Sequence, residues 1–158
     1  KQATATSEFE ILAPVSGELV NLENTNDPAF SSRAVGDGVA VVPQEGTVCA
    51  PVSGTVAALF PTEHALGIMS DDSSAQVMLH IGIDTVKLEG KGFHALVAQG
   101  DHVDAGQPLV EVDFDAVRAA GFDPTVFVIV CERSENSTLR EHASGPVAVK
   151  EPVVWLSE

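Results

Sequence analysis

Two histidines, His64 and His80, flank the acidic turn signal Asp71-Asp72-Ser73-Ser74. Asp72 lies midway between them, so a hairpin centred on it sets position 64 opposite position 80. Opposed residues on a sheet have Cβ atoms roughly 4.5–5.5 Å apart, near enough for both imidazoles to hold one phosphoryl group or one metal ion. Register decides this. An odd-numbered loop pairs 64 with 80, whereas a four-residue loop over 71–74 pairs 64 with 81 and moves His80 to the other face. We expect the first register.

Alternation assigns the faces. Along Gln76–Gly82, Gln76, Met78 and Gly82 share the side of His80, while Val77, Leu79 and Ile81 point into the core. On the facing strand Phe60, Thr62 and Leu66 share the side of His64. The common face therefore holds two imidazoles, a hydroxyl and apolar groups. Asp84, four residues after His80, could accept an imidazole N–H, meet a cationic partner, or simply open a turn.

The elements that would carry these residues are short, β-branched runs punctuated by Gly and Pro. They are 10–13, 17–22, 38–43, 47–50, 55–60, 66–70, 77–83, 109–112, 126–132 and 147–156, an all-β pattern. A helical stretch is expected over Asp113–Gly121, with an acidic start and a glycine stop. The pentapeptide Ala13-Pro14-Val15-Ser16-Gly17 returns unchanged as Ala50-Pro51-Val52-Ser53-Gly54, which predicts a duplicated architecture. Two antiparallel sheets packed as a β-sandwich, with one or two short helical turns, is the economical fold.

At 158 residues the chain is one domain by length, preceded by an Ala/Thr/Ser-rich segment, 1–7, that reads as a linker. Lys1 is not a natural start, so the chain is expected to be processed, trimmed or cut from a longer polypeptide. Cys49 and Cys131 have no metal-type spacing and form no disulfide framework, which points to a reduced, cytoplasmic setting. The net charge of −15 repels nucleic acid and favours basic protein partners. No apolar run approaches the roughly 20 residues that span a bilayer, so direct membrane insertion is not expected.

The stretch Leu79-His80-Ile81-Gly82-Ile83-Asp84-Thr85-Val86, continuing through Leu88-Glu89-Gly90-Lys91-Gly92-Phe93, resembles the signature of the glucose-type enzyme IIA domains of the bacterial phosphoenolpyruvate-dependent sugar phosphotransferase system. Ile11–Gly17, Val35–Ala40, the Ala50 repeat and Thr62-Glu63-His64-Ala65 follow in the family's order, so the resemblance covers about residues 8–156. It implies that residues 8–158 form a phosphocarrier domain. His80 would accept the phosphoryl group on Nε2 from the histidine-containing phosphocarrier protein, then pass it to the cysteine of an enzyme IIB domain. His64 would hydrogen-bond that group and Thr62 would orient His64. Asp27 and Asp84 would meet partner arginines, with Phe30, Val35, Phe60, Leu66, Met78 and Val86 as an apolar rim. The resemblance also allows regulatory protein targets and a tether to the membrane through a fused permease. Pro28-Ala29 stand where bulkier apolar residues are common, which implies a shallower rim. His94, His102 and His142 match no catalytic position and are read as exposed.

No cofactor and no obligatory metal are expected, although His64 and His80 could bind Zn²⁺ adventitiously. Three rival readings compete. A zinc peptidase finds its His-x3-Asp spacing in His80–Asp84 but lacks a His-x-His motif. A swinging-arm carrier, suggested by Gly100–Leu109, lacks a lysine in a modification motif. A purely regulatory binding protein would differ in failing to take phosphate on His80.

Overall fold

A computed structural model describes residues 8–72 and 74–157; the segment 1–7 lies outside the described residues. The fold is antiparallel β. Strands β1 (Phe9–Leu12), β2 (Gly17–Asn21), β3 (Asp37–Pro43), β4 (Thr47–Cys49), β5 (Gly54–Leu59), β6 (Ala65–Ser70) and β7 (Ala75–Ile81) make up the first half. The second half supplies β8 (Phe93–Ala95), β9 (His102–Val103), β10 (Pro108–Val112), β11 (Val126–Arg133), β12 (Thr138–Glu141), β13 (Gly145–Val147) and β14 (Pro152–Ser157). Two short helices, α1 (Pro28–Ser31) and α2 (Phe114–Ala119), complete it.

An eight-stranded sheet, β13-β2-β3-β11-β7-β6-β5-β9, packs over two three-stranded sheets, β1-β14-β12 and β4-β10-β8. Ile11, Leu19, Val48, Val56, Leu66, Leu79, Val110, Val128 and Val154 are among the fully buried side chains of the core between them. β11 sits near the middle of the large sheet and is buried on both faces. Val126, Val128 and Val130 enter the main core, while Phe127 and Ile129 join Leu22, Phe30 and Ala40 in a second cluster on the outer face. That two-sided burial explains why β11 reads as an unbroken apolar run.

The duplicated pentapeptide is a structural repeat. Leu12 N donates to Pro51 O at 2.8 Å and Cys49 N donates to Pro14 O at 2.7 Å, so the copies bind each other reciprocally. The Ser16 hydroxyl accepts from Val149 N and the Ser53 hydroxyl from Ala105 N, at 2.9 and 2.8 Å. Each copy thus leans on a second repeat hidden from sequence identity. In it, Asp104 N donates to the Gln107 side chain as Ala148 N donates to Glu151, both at 3.0 Å. Gly106 and Lys150 occupy the same left-handed position, with φ of 88° and 75°. The segment resembling a carrier-domain loop is therefore half of this pair. The two repeat glycines are fixed by close approach: a Cβ on Gly17 or Gly54 would lie 2.0 Å from the carbonyl oxygen of Val42 or Met69.

Some expectations are corrected. The run 147–156 is split by a turn at 148–151 into β13 and β14, which join different sheets. Strands β8, β9 and β12 carry too few apolar residues to show a period, and α1 is only one turn long. The hairpin register also differs: Leu66 pairs with Leu79 and Ala65 with His80. The turn spans the four positions 71–74, with the Asp72 carboxylate accepting from Ser70 Oγ, Ser74 N and Ser74 Oγ. That network stabilises the even-numbered loop. Leu66 accordingly falls in the core rather than on a rim.

Among the described residues no helix is long and apolar enough to cross a membrane. Cys49 and Cys131 are free, on β4 and β11. His142 is half-buried rather than exposed, with its ring stacked on Trp155.

Replacing Gly54 with Ala forces a Cβ into a backbone oxygen that cannot rotate away. The expected cost is about 1–3 kcal/mol or more, read as a lower midpoint in urea unfolding. An unchanged midpoint would contradict the packing described.

Candidate functional site

His80 is the next-to-last residue of β7, between Ala65 on β6 and Phe127 on β11. Pleating points it to the outer face, with Gln76 and Met78 on its side and Val77, Leu79 and Ile81 buried opposite. Open to solvent there, it would be an ordinary surface histidine. It is covered by the segment 22–33, which buries Leu22 and Phe30 against the sheet. The Phe30 ring stacks on Phe127 at 4.4 Å between centroids and lies 5.2 Å from the His80 ring.

Immediately after His80 the chain turns out of the sheet at Gly82, with φ of 80°. A side chain there is barred twice, by the left-handed backbone and by Thr85, whose Cγ2 would lie 2.3 Å from a Cβ. The turn aims the Gly82 carbonyl back at the ring it follows, and Nδ1 of His80 lies 2.8 Å from that oxygen. A carbonyl only accepts, so Nδ1 carries the proton. Nε2 is left with its lone pair free.

His64 does not oppose His80 in the ladder, yet their rings meet at 5.2 Å, nearly perpendicular at 84°. It precedes β6, where the backbone arrives from a turn with Glu63 at φ 64°. Only its carbonyl follows the ladder, accepting from Ile81 N at 2.7 Å. Freed from strand alternation, the side chain swings to the His80 face and is 3% exposed. The Thr62 hydroxyl sits 2.6 Å from His64 Nδ1. When that hydroxyl donates, the His64 proton resides on Nε2, ready to donate in turn. Phe60 packs edge-on to His64 at 5.4 Å.

Burial is the main influence on both histidines, and it disfavours the imidazolium. It pushes His64 down to about 4, helped by the neighbouring charge of His80. His80 is also lowered by burial, while the Gly82 bond and the charges of Asp27 and Asp84 pull it back toward its ordinary value. Near neutral pH both rings are therefore uncharged. The site offers a neutral nucleophilic nitrogen, an adjacent ring able to donate a hydrogen bond, and an apolar frame.

Asp27 caps α1, accepting from Ala29 N at 3.0 Å, with Pro28 at the position that needs no N–H. Pro28 and Ala29 thus fit the capping geometry and are exposed, not part of the packed wall. Asp84 is exposed and left-handed, with φ of 61°, a conformation aspartate tolerates. Val35, Phe60 and Val86 are 38%, 48% and 49% exposed, large apolar groups left open beside the site's elements. Met78 is half-buried and packs with the second cluster, whereas Phe30 is buried as a wall. Leu66 is in the core.

Phe127 and the Gly82 carbonyl escaped sequence reasoning. Gly82 carried a signal, a glycine closing an apolar strand. Phe127 carried none, because which strand neighbours β7 is a matter of tertiary pairing. Among the described residues no group of three or more His, Cys, Asp or Glu side chains is placed to hold a metal ion.

With this geometry in view, similarity to known proteins is informative. Residues 9–136 match the family described as phosphoenolpyruvate-dependent sugar phosphotransferase system, EIIA 1. The chain is 43% identical over 145 residues to the PTS system glucose-specific EIIA component of Bacillus cereus, covering 92% of this chain and 87% of that one. It is 42% identical over 144 residues to the glucose-specific EIICBA component of Streptococcus pneumoniae, covering 91% of this chain but 20% of the relative. A β-glucoside-specific EIIBCA component of Bacillus subtilis is likewise 42% identical over 147 residues, covering 93% of this chain and 24% of the relative. The chain thus spans about a fifth to a quarter of the length of these multi-component relatives. The solved structure of glucose permease IIA from Mycoplasma capricolum superposes with a TM-score of 0.88 at 33% identity, covering 98% of this chain and 99% of that one.

Burial of His64 gives a signed pH prediction. Above pH 6.5 both folded and unfolded His64 are neutral and contribute no pH dependence. As pH falls from 6.5 toward about 4, the unfolded ring protonates and the folded one does not. Stability then falls by up to about 1.4 kcal/mol per pH unit. His64→Gln should remove this part of the acid sensitivity, seen as a shallower decline of urea-unfolding free energy between pH 6.5 and 4. An identical pH slope in the variant would refute the assignment.

Proposed function

The chain belongs to the EIIA 1 family of the phosphoenolpyruvate-dependent sugar phosphotransferase system, and from that premise we propose that His80 is its phosphoryl carrier. The observation that carries the proposal is the bond from His80 Nδ1 to the Gly82 carbonyl, which leaves Nε2 as the free nucleophile. In the first half-reaction Nε2 attacks phosphorus, and the N–P bond of the donor's phosphohistidine breaks with its electron pair returning to the donor ring. A cysteine thiolate then attacks, and the N–P bond to His80 breaks in the same way. The donor fitting this chemistry is the histidine-containing phosphocarrier protein, and the acceptor is an enzyme IIB domain. The neutral ring is competent near pH 7 without an activating base.

His64 lies where a hydrogen bond from Nε2 would reach an oxygen of a phosphoryl group on His80. The dianion would in turn raise the proton affinity of His64, strengthening that contact after transfer. Phosphoryl transfer asks chiefly for alignment and charge stabilisation, and the remaining positive charge would come from partner arginines drawn to Asp27 and Asp84. Val35, Phe60 and Val86 would seal the rim and exclude water, which protects the labile N–P bond from hydrolysis. No metal ion has a role in this scheme. The domain would act in the cytoplasm, free or tethered beside a permease.

Two substitutions separate the roles. With radiolabelled phosphoenolpyruvate and the general donor proteins, His80→Gln should take up no label. His64→Gln should still be labelled but pass phosphate to a IIB domain at least about 100-fold more slowly. Labelling of the His80 variant, or full onward transfer by the His64 variant, would overturn the corresponding role. With donor phosphocarrier protein that has been phosphorylated beforehand and freed of metal, labelling should also persist in excess EDTA; its loss there would point to a metal required by this chain.

A further inference from the structure

The segment 22–33 gives His80 one of its walls, Phe30, and one of its nearby charges, Asp27. Packing of Leu22 and Phe30 holds it against the sheet. What holds its end is Arg33, the residue just beyond the last turn of α1, in a left-handed conformation with φ of 62°. Its guanidinium donates to Glu23 at 2.8 Å, to Asp37 at 3.0 Å, and to both oxygens of Glu141 at 2.7 and 3.2 Å. The side chain is 27% exposed, so these pairs are only partly screened.

The three carboxylates come from different places. Glu23 lies at the start of the same segment, Asp37 opens β3 in the large sheet, and Glu141 ends β12 in a small sheet. One cation therefore ties the two ends of the covering segment to each other and to both layers. Removing it would leave three like charges facing one another, with Arg133, 3.6 Å from Asp37, as the nearest other cation among the described ion pairs. A planar fork of five donors suits this task better than a single ammonium. The carboxylates hold the Arg33 proton more firmly than usual, as such a clamp requires.

We propose that Arg33 is a positioning residue for phosphoryl transfer, clamping the segment 22–33 so that Phe30 and Asp27 stay set against the His80 ring. Its importance for transfer rests on His80 being the acceptor, but its effect on the ring can be read without transfer. Besides Phe30 and Phe127, the groups acting on that ring are His64, Asp27, Asp84 and the Gly82 carbonyl.

The test is an NMR titration of the His80 imidazole in the wild-type chain, Arg33→Gln and Arg33→Lys, with surface His102 as the internal reference. Burial dominates the His80 shift, so loosening Phe30 should move its titration midpoint up toward about 6.5 in Arg33→Gln and less in Arg33→Lys. The initial rate of phosphoryl acceptance should fall roughly tenfold or more in Arg33→Gln, with partial recovery in Arg33→Lys. A folded Arg33→Gln whose His80 titrates as in the wild type overturns the proposal, whatever its melting temperature, because a merely structural clamp would lower stability alone. If Arg33→Gln does not fold, Glu141→Gln is read by the same criterion. Failure of wild-type His80 to take label would instead sink the carrier reading and leave the titration result standing.

Discussion

The hydrogen bond from His80 Nδ1 to the Gly82 carbonyl depends on a turn that only glycine can make at that point, and the chemistry of the site depends on the bond. If Gly82 carried a side chain, Thr85 and the backbone would have to move, and the carbonyl would no longer point at the ring. The ring could then place its proton on either nitrogen. Because the acceptor oxygen belongs to the main chain two residues away, ring orientation and tautomer are set together by local backbone. Thr85 reinforces this turn by donating its hydroxyl to Ile81 O at 2.5 Å from a buried position. Gly82 N is anchored by Thr125 O, and Ile83 N by Asp123 O, which links the turn to the start of β11.

The second constraint is dryness. A histidine on the outer face of a sheet would normally titrate near 6.5. Here β11 is covered on both sides, by the main core beneath and by Leu22 and Phe30 above, and the Phe30 and His64 rings lie against His80, so a ring on the outward face of β7 is only partly exposed. Neutrality follows from packing rather than from a catalytic base. The same arrangement explains why acidic neighbours do not keep the His80 ring protonated: Asp27 and Asp84 act on it from the margin, and burial outweighs them. Paired strands hold His80, while the covering segment and the Glu63 turn bring the groups that surround it.

Duplication supplies the frame. The reciprocal bonds between the two pentapeptides, and the matched loops at 103–109 and 147–153, place similar hairpins at either side of the large sheet. β3 and β6 then flank the central pair of β11 and β7. Only the half that contains β6 and β7 carries the facing pair, His64 and His80. The corresponding outer surface along β3 and β11 is filled by Ala40, Phe127 and Ile129, which form the floor for Phe30. The histidine pair thus occupies one copy, and the other supplies the packing surface beneath Phe30.

Much of this was legible in the residues. Period-two alternation along 76–82 correctly separated the His80 face from the core, because burial on one side leaves a pattern that needs no partner to interpret. The Asp113 start and Gly121 stop framed α2 at 114–119, since capping is a local hydrogen-bond requirement. The repeat announced two related halves. What could not be read was anything set by pairing between distant segments. The hairpin register went the other way because the Asp72 network stabilises a four-residue turn, and this sent Leu66 into the core. His64 nevertheless meets His80, since a left-handed residue before the strand exempts it from alternation. Residue types and short-range order pointed to a duplicated β protein whose two histidines could share one phosphoryl group or one metal ion, and the resemblance of the Leu79–Phe93 stretch selected the phosphoryl group. Only the tertiary structure decided which nitrogen is free, which ring is dry and what covers them, because these depend on contacts between β7, β11 and the segment 22–33, whose separation along the chain leaves no local trace.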